Sequence, residues 1–451
     1  MLNLSPYYNK LAKVNIRPCV GHVRTIAGLT VLSQGPEVGI GELCDIQLRT
    51  GKKIPAEVVG FDSDMRILMP TEEFAGICPG DKVIPRQTPR MIGLGKGLLG
   101  RVIDGLGNTI DQLGEIEATC FRSLENQPPS PMMRTRITEP LSLGIRAIDG
   151  VNTIAKGQRI GIFAGSGVGK STLMGEIART TEADINVICL VGERGREVRE
   201  FIEEALGEDG LAKSVVCVAT SDTSPIQRVK VPFLALTIAE FFRDQGKNVL
   251  LMMDSLTRLA HAQREIGLAS GEPPTTKGYC PSVFAMLPKI TERMGTSATG
   301  SITGIMTVLV DGDDMNDPVA DCVRSLLDGH IVLDRKLAEQ GHYPAIDILQ
   351  SVSRLMNSIV DDRHKVAARR FKSIYSTYIE AQDLINIGAY ASGSNPKIDL
   401  AIQLIDHVKD FLIQELGCET FTIEKLADKL FDITKQWDFS AAKKQQMLTA
   451  V

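Results

Sequence analysis

A chain of 451 residues exceeds what one ordinary hydrophobic core holds, so two or three domains are expected. Hydrophobic residues make up 43% and charged residues 23%, the balance of a globular protein. The net charge of −5 argues against nucleic acid as the main partner. Apolar runs such as Val249 to Met253 fall far short of the ~20 residues a membrane helix needs, and the first residues lack a basic region followed by an apolar one. The nine cysteines form no CxxC pair, and Cys189 and Cys217 sit inside apolar runs. They read as small buried hydrophobes in a reducing compartment, and a cytoplasmic location is expected. The six histidines show no metal-ligand spacing.

Residues 1–88 carry short β-type runs broken by glycine and proline: Gly28 to Leu32, Cys44 to Leu48 and Ala56 to Phe61. Their spacing predicts a small N-terminal β-barrel domain. A connector rich in glycine and proline follows, including Gly93 to Gly97 and Pro128 to Pro131. Strands then alternate with helices to about residue 356. Asn186 to Val191, Val215 to Ala219, Asn248 to Met253 and Ile302 to Val310 are continuous apolar runs, as in a sheet covered on both faces. Val198, Phe201, Ile202, Ala205 and Leu206 line one face of an intervening helix. The pattern is doubly wound α/β, a second domain over 89–356. From 357 to 451 apolar residues recur at helical spacing (Leu400, Leu404, Val408, Leu412), predicting a C-terminal helical domain.

The most informative stretch is Ile160 to Thr172. Apolar residues lead into Gly165-Ser166-Gly167-Val168-Gly169-Lys170-Ser171-Thr172, and Leu173, Met174, Ile177 and Ala178 continue at helical spacing. A strand, a glycine loop and a helix in that order make a phosphate cradle, because the loop's N–H groups converge at the positive end of the helix. Lys170 is placed to reach the β- and γ-phosphates of a nucleotide, and the Ser171 hydroxyl to ligate Mg²⁺. The pattern's first glycine is replaced by Ala164. Asp254 ends an apolar strand and is a candidate for holding Mg²⁺ through water, or for capping the next helix, a task open to Ser255 as well. Glu193 ends another strand, in Gly192-Glu193-Arg194-Gly195-Arg196-Glu197. It is placed either to accept a proton from an attacking water or to join a solvated, salt-bridged turn. Arg194 is a candidate partner for the terminal phosphate.

The glycine loop, the Gly192 to Glu197 turn and Asp254-Ser255-Leu256-Thr257-Arg258 resemble the rotary-type hexameric ATPases, with their RecA-like P-loop core. Gly341-His342-Tyr343-Pro344-Ala345-Ile346-Asp347 and Ser351-Val352-Ser353-Arg354 extend the match. The stretches Gly271 to Tyr279 and Val310 to Pro318 narrow it to the ATPases of flagellar type III protein export. The resemblance covers about residues 20–390. It implies that Glu193 activates water, that Arg194 and Arg258 line the phosphate pocket, and that Arg354 reaches into a neighbouring subunit's site. Tyr343 corresponds to the adenine-stacking aromatic; the alternative is a turn aromatic packed before Pro344. Asp313 and Asp314 read as a solvated loop without chemistry.

The implied function is a homohexameric motor that hydrolyses ATP with Mg²⁺, releases chaperones from export substrates and drives substrate entry. Implied partners are a stator-like regulatory subunit at the N-terminus, where Tyr7, Tyr8 and Leu11 suggest a docking helix, a central stalk protein, chaperone–substrate complexes and a membrane export gate bound peripherally. The virulence injectisome ATPase is the nearest alternative. A synthase catalytic subunit expects a threonine where Gly195 stands. An RNA translocase needs basic–aromatic interleaving, absent around Tyr7, Tyr8, Phe61 and Phe74.

Overall fold

The computed structural model describes residues 19–72, 75–86, 91–310, 314 and 316–438. The expectations for Tyr7, Tyr8, Leu11, Phe74 and Asp313 lie outside the described residues.

Glycine and proline punctuation divides the first part into β1 (Gly21–Ala27), β2 (Thr30–Gln34), β3 (Leu43–Gln47), β4 (Lys53–Asp62), β5 (Met65–Pro70) and β6 (Lys82–Pro85). They close a barrel in the order β1-β2-β5-β4-β3-β6, so no strand edge is left unpaired. Alternate side chains point inward, and Val23, Val31, Ile46, Ile54, Val58, Leu68 and Val83 fill the interior. Gly28 and Leu29, expected to begin a strand, form the β1–β2 turn instead. Gly28 has φ +56°, a left-handed conformation natural to glycine.

In the connector, β7 (Met91–Leu94) pairs with β9 (Cys120–Ser123). Between them β8 (Val102–Asp104) joins the main sheet at its edge, which the sequence reading did not anticipate. β10 (Pro140–Leu141) pairs with β11 (Ile154–Ala155) on either side of the short helix α1 (Arg146–Asp149). The central sheet adds β12 (Arg159–Ala164), β13 (Ile185–Glu193), β14 (Ser214–Thr220), β15 (Asn248–Asp254), β16 (Gly295–Thr296), β17 (Ser301–Leu309), β18 (Gly329–Leu333) and β19 (Ile346–Ser353). Its order is β19-β18-β12-β17-β15-β13-β14-β8, with β16 pairing β17. β19 and β16 are antiparallel to their neighbours; the other pairings are parallel.

Because both faces are covered, successive residues of one strand enter different cores. Ile188 and Leu190 face a cluster with Leu173, Met174 and Ile177 of α2 (Lys170–Thr180). Val187, Cys189 and Val191 face the other, which holds the helices introduced below. The predicted helix at 198–206 is present, but its middle loosens. α3 (Gly195–Glu200) passes through a π-helical segment, Phe201–Leu206, into α4 (Gly207–Ala212), while Val198, Phe201 and Leu206 stay buried. The second face carries α5 (Pro225–Arg243), α6 (Leu256–Ala269), α7 (Pro281–Glu292) and α8 (Pro318–Leu326). After α9 (Arg335–Glu339) and β19 the chain turns helical: α10 (Met356–Ile359), α11 (Asp362–Asn386), α12 (Pro396–Leu412) and α13 (Ile423–Thr434). Asp361, Asn395 and Thr422 cap α11, α12 and α13 with side-chain oxygens. Phe371, Val408, Phe411 and Leu430 join the same core as α2, so these helices rest on the sheet face behind the glycine loop.

One buried ion pair fastens the connector to this body. Arg293 Nε and Nη2 both donate to the Glu240 carboxylate at 2.8 Å, and Nη1 donates to Leu124 O at 2.9 Å. Arg293 is 2% exposed and Glu240 is fully buried. Removing one partner strands the other charge in an apolar interior. Glu240→Ala should therefore lower stability by about 3–5 kcal/mol; an unchanged thermal unfolding midpoint would contradict the role given to this pair.

Candidate active site

A parallel sheet brings the C-terminal ends of its strands to one edge, and the site is assembled there. β12 delivers the glycine loop. Gly167 (φ +79°) and Gly169 (φ +88°) adopt left-handed conformations, and the loop enters α2 at Lys170. Ala164, the departure from the pattern, is the last strand residue and 1% exposed. Its methyl packs into the core and not toward the loop's open side, so the substitution is tolerated. Ser166, Gly167, Ser171 and Thr172 are exposed, while Gly165 and Val168 are buried and anchor the loop.

β15 delivers Asp254, 4% exposed. Its carboxylate pairs with the Lys170 ammonium, and Oδ1 accepts from Thr307 Oγ1 at 2.7 Å. The helix cap that competed for Asp254 is supplied by Ser255, whose hydroxyl accepts from Arg258 N. β13 delivers Glu193 after a bulge at Gly192 (φ +69°). Arg258 on α6 clamps that turn. Its Nη1 donates to Gly192 O at 2.7 Å, Nη2 to Glu193 Oε2 at 3.2 Å, and its Nε lies 3.1 Å from Oε1. Burial pushes the Glu193 carboxyl up to about 7, helped by a hydrogen bond to Glu197 and by the Asp254 charge; Lys170 and Arg258 act the other way. Glu193 is therefore buried and not solvated, whereas Arg196–Glu200 and Arg199–Glu203 are exposed i,i+4 pairs along α3 and the π-helical segment after it.

The remaining candidates fall in different places. Arg194 is turned outward: its side chain is 77% exposed and pairs with Glu197 at 3.0 Å. Tyr343 precedes β19 at the loop edge. It lines a cavity of roughly 620 Å³ with Gly167, Gly169, Thr172 and Leu416. Gly169 lies so close to the ring that an added Cβ would meet Tyr343 Cε1 at 3.5 Å. Arg354 stands at the opposite edge. β19 runs antiparallel from Ile346, level with Leu333 at the loop, to Ser353, level with Gly329. Arg354 N donates to Asp328 O and Asp328 N to Arg159 O, so Arg354 sits level with the start of β12. That start is separated from Ala164 by the length of the strand, about 17 Å at ~3.3 Å per residue.

Two contributors escaped the sequence reading. Thr307 was visible only as a hydroxyl inside the apolar run Ile302 to Val310. The segment Ile413 to Leu416 lines the cavity from the C-terminal helices, and no local pattern marks it. Asp314, expected to be chemically idle, accepts from Lys277 Nζ at 3.2 Å in an exposed loop pair.

With this geometry in hand, comparison with known proteins is informative. Residues 144–353 match the model of the ATP synthase alpha/beta family nucleotide-binding domain, and residues 360–431 that of the T3SS EscN ATPase C-terminal domain. A flagellum-specific ATP synthase of Bacillus subtilis is 54% identical over 396 residues, 87% of this chain and 90% of the relative. A type 3 secretion system ATPase of Xanthomonas euvesicatoria is 49% identical over 92% of this chain and 95% of its own. Among solved structures, the assembled ATPase EscN of the enteropathogenic E. coli type III secretion system superposes with a TM-score of 0.88 at 46% identity, covering 92% of this chain and 100% of that one. EscN in complex with its central stalk EscO gives 0.84 at 45% identity, with the same coverage. The chain belongs to the ATP synthase alpha/beta family, within its branch of flagellar and type III secretion ATPases.

Proposed function

We propose that this chain is the ATP-hydrolysing motor of flagellar type III protein export, working as a ring of identical copies. The observation that carries the reading is the convergence of Lys170, Asp254 and a buried Glu193 at the edge of the sheet that bears the glycine loop. The phosphates of ATP occupy the N–H groups of residues 165–172 at the head of α2. Lys170 then exchanges Asp254 for the β- and γ-phosphates. A buried carboxylate that has given up its ammonium partner suits a hard cation, and Ser171 and Asp254 supply the oxygen donors that Mg²⁺ prefers. When bound, Mg²⁺ neutralises charge on the β- and γ-phosphates. Glu193, steadied by Arg258, accepts the proton of the attacking water. Arg194 reaches the terminal phosphate only after leaving Glu197. Arg354 faces away from its own loop and is assigned to the site of the adjoining copy.

The stalk partner is supported by EscN, which was solved with its central stalk EscO. The stator-like subunit at the N-terminus, chaperone–substrate complexes and peripheral attachment at the membrane export gate rest on the family resemblance. No helix among the described residues is long and apolar enough to cross a membrane. A virulence injectisome role is the second reading, favoured by the Xanthomonas relative. Loss of filaments in a deletion strain supports the flagellar role; loss of effector secretion with filaments intact supports the other.

Single substitutions separate the roles. Lys170→Ala should abolish nucleotide binding, Glu193→Gln should bind ATP without turnover, and Arg354→Ala should lose about 10³–10⁵ in rate with affinity retained. A fully active Arg354→Ala ring would overturn the trans assignment. Because the base form of Glu193 fills as pH rises, hydrolysis should climb about tenfold per pH unit below about 7 and level off above it; a flat profile from acid to neutral pH would exclude Glu193 as the base. The rate per chain should also rise with protein concentration as rings form, and a flat response would contradict shared sites.

A further inference from the structure

The segment that follows α12 lies at the mouth of the Tyr343 cavity, and most of it is open to solvent. Ile413 is 39% exposed and Leu416 62%, yet Gln414 between them is only 7% exposed. Every polar group of Gln414 that points inward is engaged. Its backbone N donates to Tyr343 O at 2.9 Å. Its side-chain Nε2 donates to Gly144 O at 2.8 Å, and its Oε1 accepts from Arg146 N at 2.9 Å. One side chain therefore bridges the start of α1 and the residue two positions before it.

The receiving loop is itself immobilised. Leu143 N and Gly144 N donate to the fully buried Asp149 carboxylate at 3.0 and 2.8 Å. Thr180, the last residue of α2, donates its hydroxyl to Leu143 O at 2.6 Å. A few residues on, Gly417 N donates to Glu176 Oε1 at 3.1 Å, again on α2. Residues 413–417 are thus pinned at three points, to Tyr343, to the loop before α1 and to the helix that begins with Lys170. The cavity they close is lined by Gly167, Gly169 and Tyr343, the same residues that border the phosphate loop.

We infer that Gln414 is a positioning residue for nucleotide binding: its side-chain amide seats the segment 413–416 on the loop before α1, and its backbone N–H carries Tyr343 with that segment, so that the two form one wall of the nucleobase site. The inference rests on the reading of Tyr343 as a base-stacking group. The hydrogen bonds of Gln414 go to Tyr343, Gly144 and Arg146 and not to the phosphate loop or Glu193, so its contribution goes to the base and not to the chemistry. Removing its amide leaves Gly144 O and Arg146 N without their partner and frees the wall to move.

The test measures steady-state ATP hydrolysis by the full-length chain carrying Gln414→Ala, Gln414→Glu or Tyr343→Ala, with inorganic tripolyphosphate as a competing ligand that has phosphates and no base. Gln414→Ala should raise KM for ATP roughly tenfold with kcat within about twofold, while inhibition by tripolyphosphate is unchanged. Gln414→Glu keeps the acceptor for Arg146 N and loses the donor to Gly144 O, so its KM should fall between. An unaltered KM in Gln414→Ala, with KM raised in Tyr343→Ala, overturns the role of Gln414 and leaves the base site standing. Equal weakening of ATP and tripolyphosphate also overturns it, because the damage has then spread to the phosphate loop. An unaltered KM in Tyr343→Ala removes the base site itself, and the inference with it.

Discussion

The direction of one strand sets the logic of this molecule. Parallel pairing of β12, β13, β15 and β17 collects the glycine loop, Glu193, Asp254 and Thr307 at a single edge. Among the described long strands of the central sheet β19 alone runs the other way, so Tyr343 enters at that edge and Arg354 leaves at the far one. No rotamer of a side chain about 6–7 Å long spans a strand-length gap of about 17 Å. The glycine loop therefore lies beyond the reach of Arg354 of the same chain.

The charged groups of the site are set against one another. Two buried carboxylates, Asp254 and Glu193, face two cations, Lys170 and Arg258. Burial of an unpaired charge is costly, so each acid is either paired or pushed toward its neutral form. Asp254 follows the first course through Lys170 and Thr307. Glu193 follows both, paired with Arg258 and with its carboxyl raised by burial to about 7. Burial and the neighbouring charges therefore set the proton affinity of Glu193.

Much of this was legible in the residues. The buried strands declared themselves as unbroken apolar runs, since a strand covered on both faces has no polar side. The loop was legible because Gly167 and Gly169 need left-handed backbone and Lys170 opens a helix. Glu193 and Asp254 were legible as acids at strand ends. Less was available where long-range contact decides. β8 is three residues long and acquires its meaning only from β14. Gln414 is separated by about 270 positions from the carbonyl it holds, and nothing in its neighbourhood announces that. The outward turn of Arg194 follows from Glu197 three residues later, a competition that a strand-and-loop pattern does not rank. Arg354 and Tyr343 came from family resemblance, and the register of β19 then supplied a physical reason for their different edges.

The shared site can be tested by mixing two chains that are each inert. One carries Glu193→Gln and retains Arg354; the other carries Arg354→Ala and retains Glu193. In mixed rings some seams unite an intact Glu193 with an intact Arg354 from the adjoining copy, and ATP hydrolysis should reappear on mixing. A mixture as inactive as its components, in rings shown to contain both chains, would contradict a site divided between copies.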